Sequence, residues 1–136
     1  MIDWDVIDTV LLDMDGTLLD LHFDNHFWQE HVPVRYAERH GLPHAEARSR
    51  LGDLYRARAG TLDWYCVEFW TRELQLDIVR LKEEVAHLIA VHPDVPRFLE
   101  ALRRHGKGVA LVTNAHRKSL SLKMARTGLQ VHFDLL

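Results

Sequence analysis

The sequence has one cysteine and no long apolar run, and both features limit the classes of protein it can belong to. The single cysteine, Cys66, allows no disulfide within the chain, which fits a reducing compartment and makes the cytoplasm the expected location. No apolar run approaches the ~20 residues of a membrane span, so we expect no membrane contact. The first residues, MIDWDVIDTV, are acidic where a secretory signal would be basic.

An excess of positive charge is also lacking, since 17 lysines and arginines stand against 20 aspartates and glutamates, which gives a net charge of −3 with histidine neutral. No basic stretch is long enough to indicate binding to a nucleic acid polymer. An anionic substrate would therefore need local positive charge or a bound metal ion. Hydrophobic residues make up 47% of the chain and charged residues 27%, which is ordinary for one globular domain.

Two short apolar runs, residues 7–12 and 108–113, are typical of strands buried on both faces of a parallel sheet. A third strand is expected to begin within residues 133–136. Helices are predicted at 95–105 and 117–126, between these runs. Strands separated by helices predict an α/β fold with a Rossmann-like parallel sheet, incomplete within these residues.

The segment between the first strand and the helix at 95–105 contains only helical patterns. Asp24 is expected to cap its first helix, and Pro33 is expected to kink or break it. Four aromatic residues at near-helical spacing favour the packed core of this insert over a binding surface: Trp64, Tyr65, Phe69 and Trp70. The predicted helices span residues 24–40, 44–59, 63–74 and 78–89.

The change in pattern near residues 20 and 91 predicts two units. A partial Rossmann-like core comprises residues 1–20 and 91–136, and a helical cap comprises residues 21–90. Three parallel strands make a thin sheet, and the chain stops on an apolar strand, so we expect a fragment. The exposed edges of such a sheet could drive oligomer formation.

The stretch VLLDMDGTLLD places Asp13 and Asp15 at the predicted carboxyl end of the first strand, where open α/β sheets bind ligands. One carboxylate can attack phosphorus, while the other protonates the leaving oxygen and then activates water. Two carboxylates facing a phosphate need a cation, and Mg²⁺ accepts carboxylate ligands such as Asp13 and Asp15. Gly16 and Thr17 allow a tight turn whose N–H groups can face the phosphate.

The second strand ends in Thr113 and Asn114, whose hydroxyl and amide groups can hold phosphate oxygens by hydrogen bonds. Asp-x-Asp alone is common and also occurs as a metal-diphosphate motif in glycosyltransferases, and a Thr-Asn pair alone is an ordinary strand end. Together, at the ends of two apolar strands, they predict one phosphate site.

VLLDMDGTLLD resembles the first signature of the haloacid dehalogenase superfamily of hydrolases, and ALVTN resembles its second. The helical insert resembles the cap domain that many members carry. The resemblance implies a nucleophile at Asp13, an acid/base at Asp15 and a phosphate-binding hydroxyl at Thr113. Members that cleave carbon–halogen bonds lack the second aspartate, so Asp15 favours a phosphatase.

A closer resemblance, over most of the chain, is to bacterial purine 5′-nucleotidases that hydrolyse GMP and IMP. DMDGTLLDLHFDNHFW, LDWYC and LVTNAH carry it. It implies a small phosphorylated substrate, with a purine mononucleotide favoured. His22, Asn25 and Trp28 follow the first motif and are candidates for contact with the nucleobase, although the aromatic residues there could simply form the apolar face of the first helix.

The resemblance also implies a later lysine that holds the phosphate and a later acidic pair that completes the Mg²⁺ site. Lys118 and Lys123 precede the third strand, so they are poor candidates for that lysine. We therefore expect this chain alone to be inactive or nearly so. Two alternatives stay open: a sugar-phosphate phosphatase or phosphomutase of the same superfamily, and a non-catalytic binding or assembly module.

Overall fold

The computed structural model describes all of residues 1–136 and contains a two-stranded parallel sheet with seven α-helices. None of these helices combines the length and the apolar character needed to cross a membrane. Short 3₁₀ turns link several of the elements. The strands are β1 (Thr9–Leu12) and β2 (Gly108–Leu111), and the helices are α1 (His22–His26), α2 (Val32–His40), α3 (His44–Arg58), α4 (Val67–Leu74), α5 (Ile78–Glu84), α6 (Val95–Arg104) and α7 (Arg117–Thr127).

The predicted parallel sheet is confirmed. β1 and β2 pair in parallel from Thr9 opposite Gly108 to Leu12 opposite Leu111, and α6 precedes β2 along the chain. A single parallel bridge between Ala110 and Leu135 adds the beginning of the predicted third strand beside β2. The sheet order is therefore that of an α/β fold in which helices connect parallel strands.

β1 is not buried on both faces, contrary to the prediction from its apolar run. Val10 and Leu12 pack towards the buried cluster beneath the sheet, whereas the Leu11 side chain remains 68% exposed. Successive side chains of a strand point to opposite faces, and the helices of this structure cover only one face of β1. A largely apolar run therefore indicated a strand correctly but did not show which of its faces is covered.

The first helix of the insert begins two residues earlier than predicted, at His22. The Asp20 carboxylate accepts a hydrogen bond from the His22 N–H at 2.7 Å, so Asp20 supports this start and Asp24 is not the cap. A π-helical turn, Phe27–His31, connects α1 to α2 without interruption. The helical turns continue through Pro33 without the predicted break, and the irregularity is the π-helical turn directly before it, because proline has no N–H to donate to the preceding turn.

Two other predicted helices are shorter than expected. The one predicted over 63–74 is divided at Cys66, which is extended and separates a 3₁₀ turn from α4. The Cys66 Sγ accepts a hydrogen bond from the Phe69 N–H at 3.4 Å, so it caps α4. The one predicted over 78–89 ends at Glu84 and is followed by another 3₁₀ turn.

The buried apolar side chains form two clusters. One, here called the helical cluster, draws all its 13 buried members from residues 23–85, and the other, the sheet cluster, draws its 10 from residues 14–19 and 95–129. The chain passes between them at two adjacent points, where the Asp20 N–H donates to the Ala90 carbonyl at 2.9 Å. The helical cluster thus lies, along the chain, between the first strand and α6.

Candidate active site

The carboxyl ends of the two strands meet at one edge of the sheet. Asp13 directly follows β1 and is exposed, and Thr113 and Asn114 follow shortly after β2. Because Leu12 lies opposite Leu111 in the parallel register, these side chains share that edge, as the strand-end prediction required. The Thr113 Oγ1 accepts a hydrogen bond from the Ala115 N–H at 3.1 Å, and its own O–H remains free to donate to a ligand.

The turn after Asp13 is tight but does not offer its N–H groups to a ligand. Gly16 adopts a positive φ of 79°, which favours glycine, and its N–H donates to the Leu19 carbonyl at 2.8 Å. The Thr17 N–H donates to the Met14 carbonyl at 3.3 Å. The predicted use of these two N–H groups for phosphate therefore does not hold, because the turn itself consumes them, although the Thr17 side chain stays exposed.

Lys123 joins the core motif to the helical region. Its Nζ lies 2.6 Å from Asp15 Oδ1, and 2.8 Å and 3.0 Å from the two carboxylate oxygens of Asp24. The Lys123 side chain is only 3% exposed, whereas those of Asp15 and Asp24 are 31% and 22% exposed. One buried ammonium therefore bridges two carboxylates that belong to different parts of the fold.

Sequence reasoning missed both ends of this contact. The position of Lys123 before the third strand argues against a role in the site, and the sequence predicts Asp24 only as a helix N-cap. One feature that indicates a partner for Lys123 is its position on α7. It lies four residues after Ser119, on the same face of the helix, and both residues are buried. A lysine on the buried face of a helix calls for a negatively charged partner.

Burial raises the pKa of Asp15 above its ordinary value, and the neighbouring Asp24 carboxylate acts in the same direction. Lys123 opposes this shift through its charge and its hydrogen bond, without cancelling it. A carboxyl with a raised pKa holds a proton at higher pH than usual, which suits a group that must protonate a leaving oxygen.

A cavity of about 300 Å³ opens beside Asp15 between the helical region and α7. Asn25 and Trp28, two of the predicted substrate-contact residues, line it together with Asp15, Asp24 and Lys123. His22 does not line it and instead lies beside His26, with ring centroids 6.0 Å apart. Five aromatic side chains dominate its wall: Trp28, Tyr55, Trp64, Tyr65 and Trp70.

The aromatic run of the insert therefore has two roles where one was predicted. Phe69 and Trp70 are buried in the helical cluster, as expected, and the Trp70 Nε1–H donates to the Trp64 carbonyl at 3.0 Å. Trp64 and Tyr65 are 38% and 44% exposed and face the cavity. The break at Cys66 accounts for this, because it turns the 3₁₀ segment out of register with α4.

A second polar contact joins the helical region to α7. Glu68 on α4 pairs with the Lys118 Nζ at 2.9 Å and with the His116 Nε2 at 2.5 Å, and Cys66 lies nearby. The His116 Nδ1 accepts a hydrogen bond from the Lys118 backbone N–H, so the ring proton lies on Nε2. The Nε2–H then donates a hydrogen bond to the Glu68 carboxylate. This tautomer favours a hydrogen bond over metal ligation by His116, Glu68 and Cys66, whose ligand atoms lie within 4.8 Å of one another.

Comparison with known proteins settles the family. A family model for haloacid dehalogenase-like hydrolases matches residues 7–136. The chain belongs to the haloacid dehalogenase-like hydrolases. The resemblance predicted from the two strand-end motifs is thereby confirmed.

Among curated relatives of this haloacid dehalogenase-like hydrolase is the GMP/IMP nucleotidase YrfG of Escherichia coli K12, and a protein of the same name occurs in Shigella flexneri. The chain is 45% identical to each over 135 residues, which is 99% of this chain and 61% of each relative. A solved structure, the HAD phosphatase from Thermococcus onnurineus, superposes with a TM-score of 0.81 at 30% identity. That match covers 95% of this chain and 60% of the solved one.

The donor set of this haloacid dehalogenase-like hydrolase fits a magnesium ion. Asp13 offers an exposed carboxylate at the sheet edge, and Asp15 offers oxygen atoms two residues later. Mg²⁺ prefers oxygen ligands and is often held by one or two carboxylates, with waters and substrate phosphate completing its shell. The Asp15 carboxylate already accepts a hydrogen bond from Lys123, so Asp13 is the candidate ligand with more free oxygen lone pairs.

Proposed function

We propose that this haloacid dehalogenase-like hydrolase is a Mg²⁺-dependent phosphomonoesterase that acts on purine 5′-mononucleotides through an aspartyl-phosphate at Asp13. The observation that carries the proposal is the pair of aspartates at the sheet edge: Asp13 is exposed, and Asp15 is half-buried, held by Lys123 and raised in pKa. The relatives named GMP/IMP nucleotidase support the choice of substrate class.

In the first step, a carboxylate oxygen of Asp13 attacks phosphorus, and the bond from phosphorus to the ester oxygen breaks. The departing nucleoside oxygen takes a proton from Asp15, whose raised pKa suits this donation. In the second step, Asp15 accepts a proton from water as that water attacks the acyl phosphate. Phosphate leaves, and both carboxylates return to their starting states.

Two groups just after the second strand are proposed to hold the phosphate during both steps. The free O–H of Thr113 donates to one phosphate oxygen, and the exposed amide of Asn114 donates to another. Asp13 and Asp15 would hold Mg²⁺, which supplies positive charge against the phosphate and makes attack by a carboxylate feasible. Thr17 can add its exposed hydroxyl at the same edge.

The helical region, residues 21–90, is proposed to act as a cap over a core made of residues 1–20 and 91–136. The aromatic cavity beside Asp15 lies between these units, so the cap excludes water and selects the substrate. Asn25 and Trp28 are placed to contact the nucleobase. His22 lies outside the cavity, so its contact would require the cap to shift.

The proposed setting is the cytoplasm, with a small phosphorylated substrate and neither a nucleic acid polymer nor a membrane as partner. The open face of β1 around Leu11 offers a surface through which copies could associate. We expect these 136 residues to be inactive or nearly so, because neither Lys118 nor Lys123 reaches Asp13: Lys118 pairs with Glu68, and Lys123 pairs with Asp15 and Asp24.

The test is phosphate release from IMP and GMP with the chain in excess over substrate and Mg²⁺ present, so that slow single turnovers are detected. The expected result is release that Asp13→Asn abolishes and that exceeds release from AMP or sugar phosphates. Faster release from sugar phosphates would favour the sugar-phosphate phosphatase or phosphomutase. No release from any substrate would contradict catalysis by this chain and favour the binding module.

A further inference from the structure

Lys82 is a buried lysine that the proposed reaction does not use. It lies on α5 in the helical region, and only 5% of its surface is exposed. Lysine is almost never fully buried unless a partner neutralises it. Its burial therefore needs an explanation from its surroundings.

Three aromatic rings surround the Lys82 ammonium. Its Nζ lies 5.9 Å from the ring centroid of Phe23, 5.1 Å from that of Phe27 and 5.5 Å from that of Trp28. A ring face attracts a cation at such distances, which offsets part of the cost of burial. The rings cannot accept ordinary hydrogen bonds from the three N–H groups of an ammonium.

No hydrogen bond or ion pair satisfies the Lys82 ammonium. Its pKa is lowered to about 8 by burial, and only through-space charges, led by Asp24, act against this. Lys123 nearby takes up the carboxylates of both Asp15 and Asp24, so neither is free to turn towards Lys82. The amine thus keeps unused hydrogen-bond donors although most of the Lys82 side chain is buried.

The unused donors open into the cavity beside Asp15. Lys82 lines that cavity together with Asn25, Trp28, Trp64 and Tyr65. Flat aromatic walls suit a planar heterocycle. The volume of the cavity, about 300 Å³, lies at the lower end of the range for small-molecule sites. A ligand with the phosphate at the sheet edge and a flat base in this cavity would present an edge atom to Lys82.

We propose that Lys82 selects 6-oxopurine bases by donating a hydrogen bond from Nζ to the O6 carbonyl oxygen, and the inference rests on the proposed nucleotide substrate. IMP and GMP carry this acceptor. AMP carries an amino group at the same position, so two donors would face each other and the ammonium would stay unsatisfied. A site built to hydrogen-bond one group rejects an analogue that lacks it, because the buried donor is then left unpaired.

The experiment measures equilibrium binding of IMP, GMP and AMP to the 136-residue chain by quenching of tryptophan fluorescence. Trp28, Trp64 and Trp70 line the cavity and report occupancy directly. The wild-type chain is expected to bind IMP and GMP about tenfold or more tightly than AMP, and Lys82→Met is expected to remove this preference. Affinity for AMP should change by less than about twofold in Lys82→Met, since the amino group at position 6 of AMP accepts no hydrogen bond from the amine.

Lys107→Met is the matched control, because Lys107 lies away from the cavity and donates from Nζ to the Trp4 carbonyl at 2.8 Å. It should leave the order of the three affinities unchanged. Circular dichroism melting checks that each variant folds. Lys82→Gln serves if Lys82→Met does not fold, and it should narrow the preference in the same direction because a neutral amide is a weaker donor.

Three results overturn the role of Lys82: equal binding of IMP and AMP by the wild-type chain, an equal loss for both nucleotides in Lys82→Met, or binding of no nucleotide. Phosphate release tests the proposed function separately. If the chain releases phosphate from IMP but Lys82→Met still binds IMP and GMP in preference to AMP, only the role of Lys82 is refuted. If the chain binds IMP and GMP selectively but releases phosphate from neither, only the proposed catalysis is refuted.

Discussion

Replacing Lys123 by methionine removes the one positive charge that Asp15 and Asp24 share. Methionine keeps an unbranched side chain of similar length, so packing on the buried face of α7 is largely preserved. The two carboxylates, whose nearest oxygens now lie 2.6 Å and 2.8 Å from the Lys123 Nζ, would be left without a hydrogen-bonded cation, because Lys82 acts on them only through space. The cost is electrostatic, and its size follows from how well water can reach the pair.

Removing one partner of a fully buried ion pair costs about 3–5 kcal/mol of unfolding free energy. The Asp15 and Asp24 side chains keep 31% and 22% of their surface exposed, so water can solvate them in part. We therefore expect Lys123→Met to lower the free energy of unfolding by about 2–3 kcal/mol at pH 7, below the fully buried case. A loss of this size would mean that the contact of Lys123 with Asp15 and Asp24 stabilises the packing of the helical region against the core.

The loss should depend on pH in a defined direction. Burial already raises the pKa of Asp15, and without the opposing effect of Lys123 it should rise further. A carboxyl with a pKa higher in the folded than in the unfolded state stabilises the fold at low pH, and that stability is lost as pH rises through the folded pKa. Lys123→Met should therefore be less destabilising at pH 5 than at pH 7.

Urea unfolding followed by tryptophan fluorescence measures the loss of unfolding free energy at pH 7 and at pH 5. The slope of that free energy against urea concentration should be the same in the wild-type chain and the variant, so that the two values can be compared. Lys118→Met is the control, because Lys118 pairs with Glu68 on the surface and its removal should change stability little. A loss below about 1 kcal/mol at pH 7, or an equal loss at pH 5, would refute the shared-cation account.

Three further outcomes are expected. The Lys82 pKa of about 8 lies below its unfolded value, so the unfolded state binds more protons. Wild-type stability in urea should therefore rise by about 2 kcal/mol from pH 8 to 10, and Lys82→Met should abolish this rise. Leu51→Ala, which truncates a residue only 1% exposed in the helical cluster, should cost about 2–5 kcal/mol in the same unfolding assay, whereas Leu62→Ala at an 85% exposed position should cost little. Chelation by EDTA should abolish phosphate release from IMP, and excess Mg²⁺ should restore it; release that persists in EDTA would contradict the metal requirement.

Much of the sheet and its functional edge could be predicted from local sequence. The apolar runs before Asp13 and Thr113 identify strands, and the helix between them implies a parallel pairing, which places both strand ends together. Gly41 and Gly128, with φ of 64° and 71°, end α2 and α7, because glycine readily adopts the left-handed conformation that stops a helix. These features depend on neighbours within a few residues.

The remaining features depend on contacts between distant residues. Lys123 and Asp24 are 99 positions apart, and no local pattern announces that α7 reaches the insert. The break at Cys66 interrupts a run whose aromatic spacing is helical throughout, and the hydrogen bond from the Phe69 N–H to Sγ becomes visible only in three dimensions. Likewise, the apolar character of Leu11 cannot show that its face of the sheet is uncovered.

The measurement that tests the central claim most directly is acid-quenched trapping of a covalent phosphate on the chain. The 136-residue protein is mixed with Mg²⁺ and excess IMP labelled in its phosphate, quenched in acid and digested, and the labelled peptide is sequenced by mass spectrometry. The account predicts label on Asp13, absent in Asp13→Asn and retained longer in Asp15→Asn, because hydrolysis of the acyl phosphate needs Asp15 to accept a proton. Label on any other residue, or label that persists in Asp13→Asn, would contradict it.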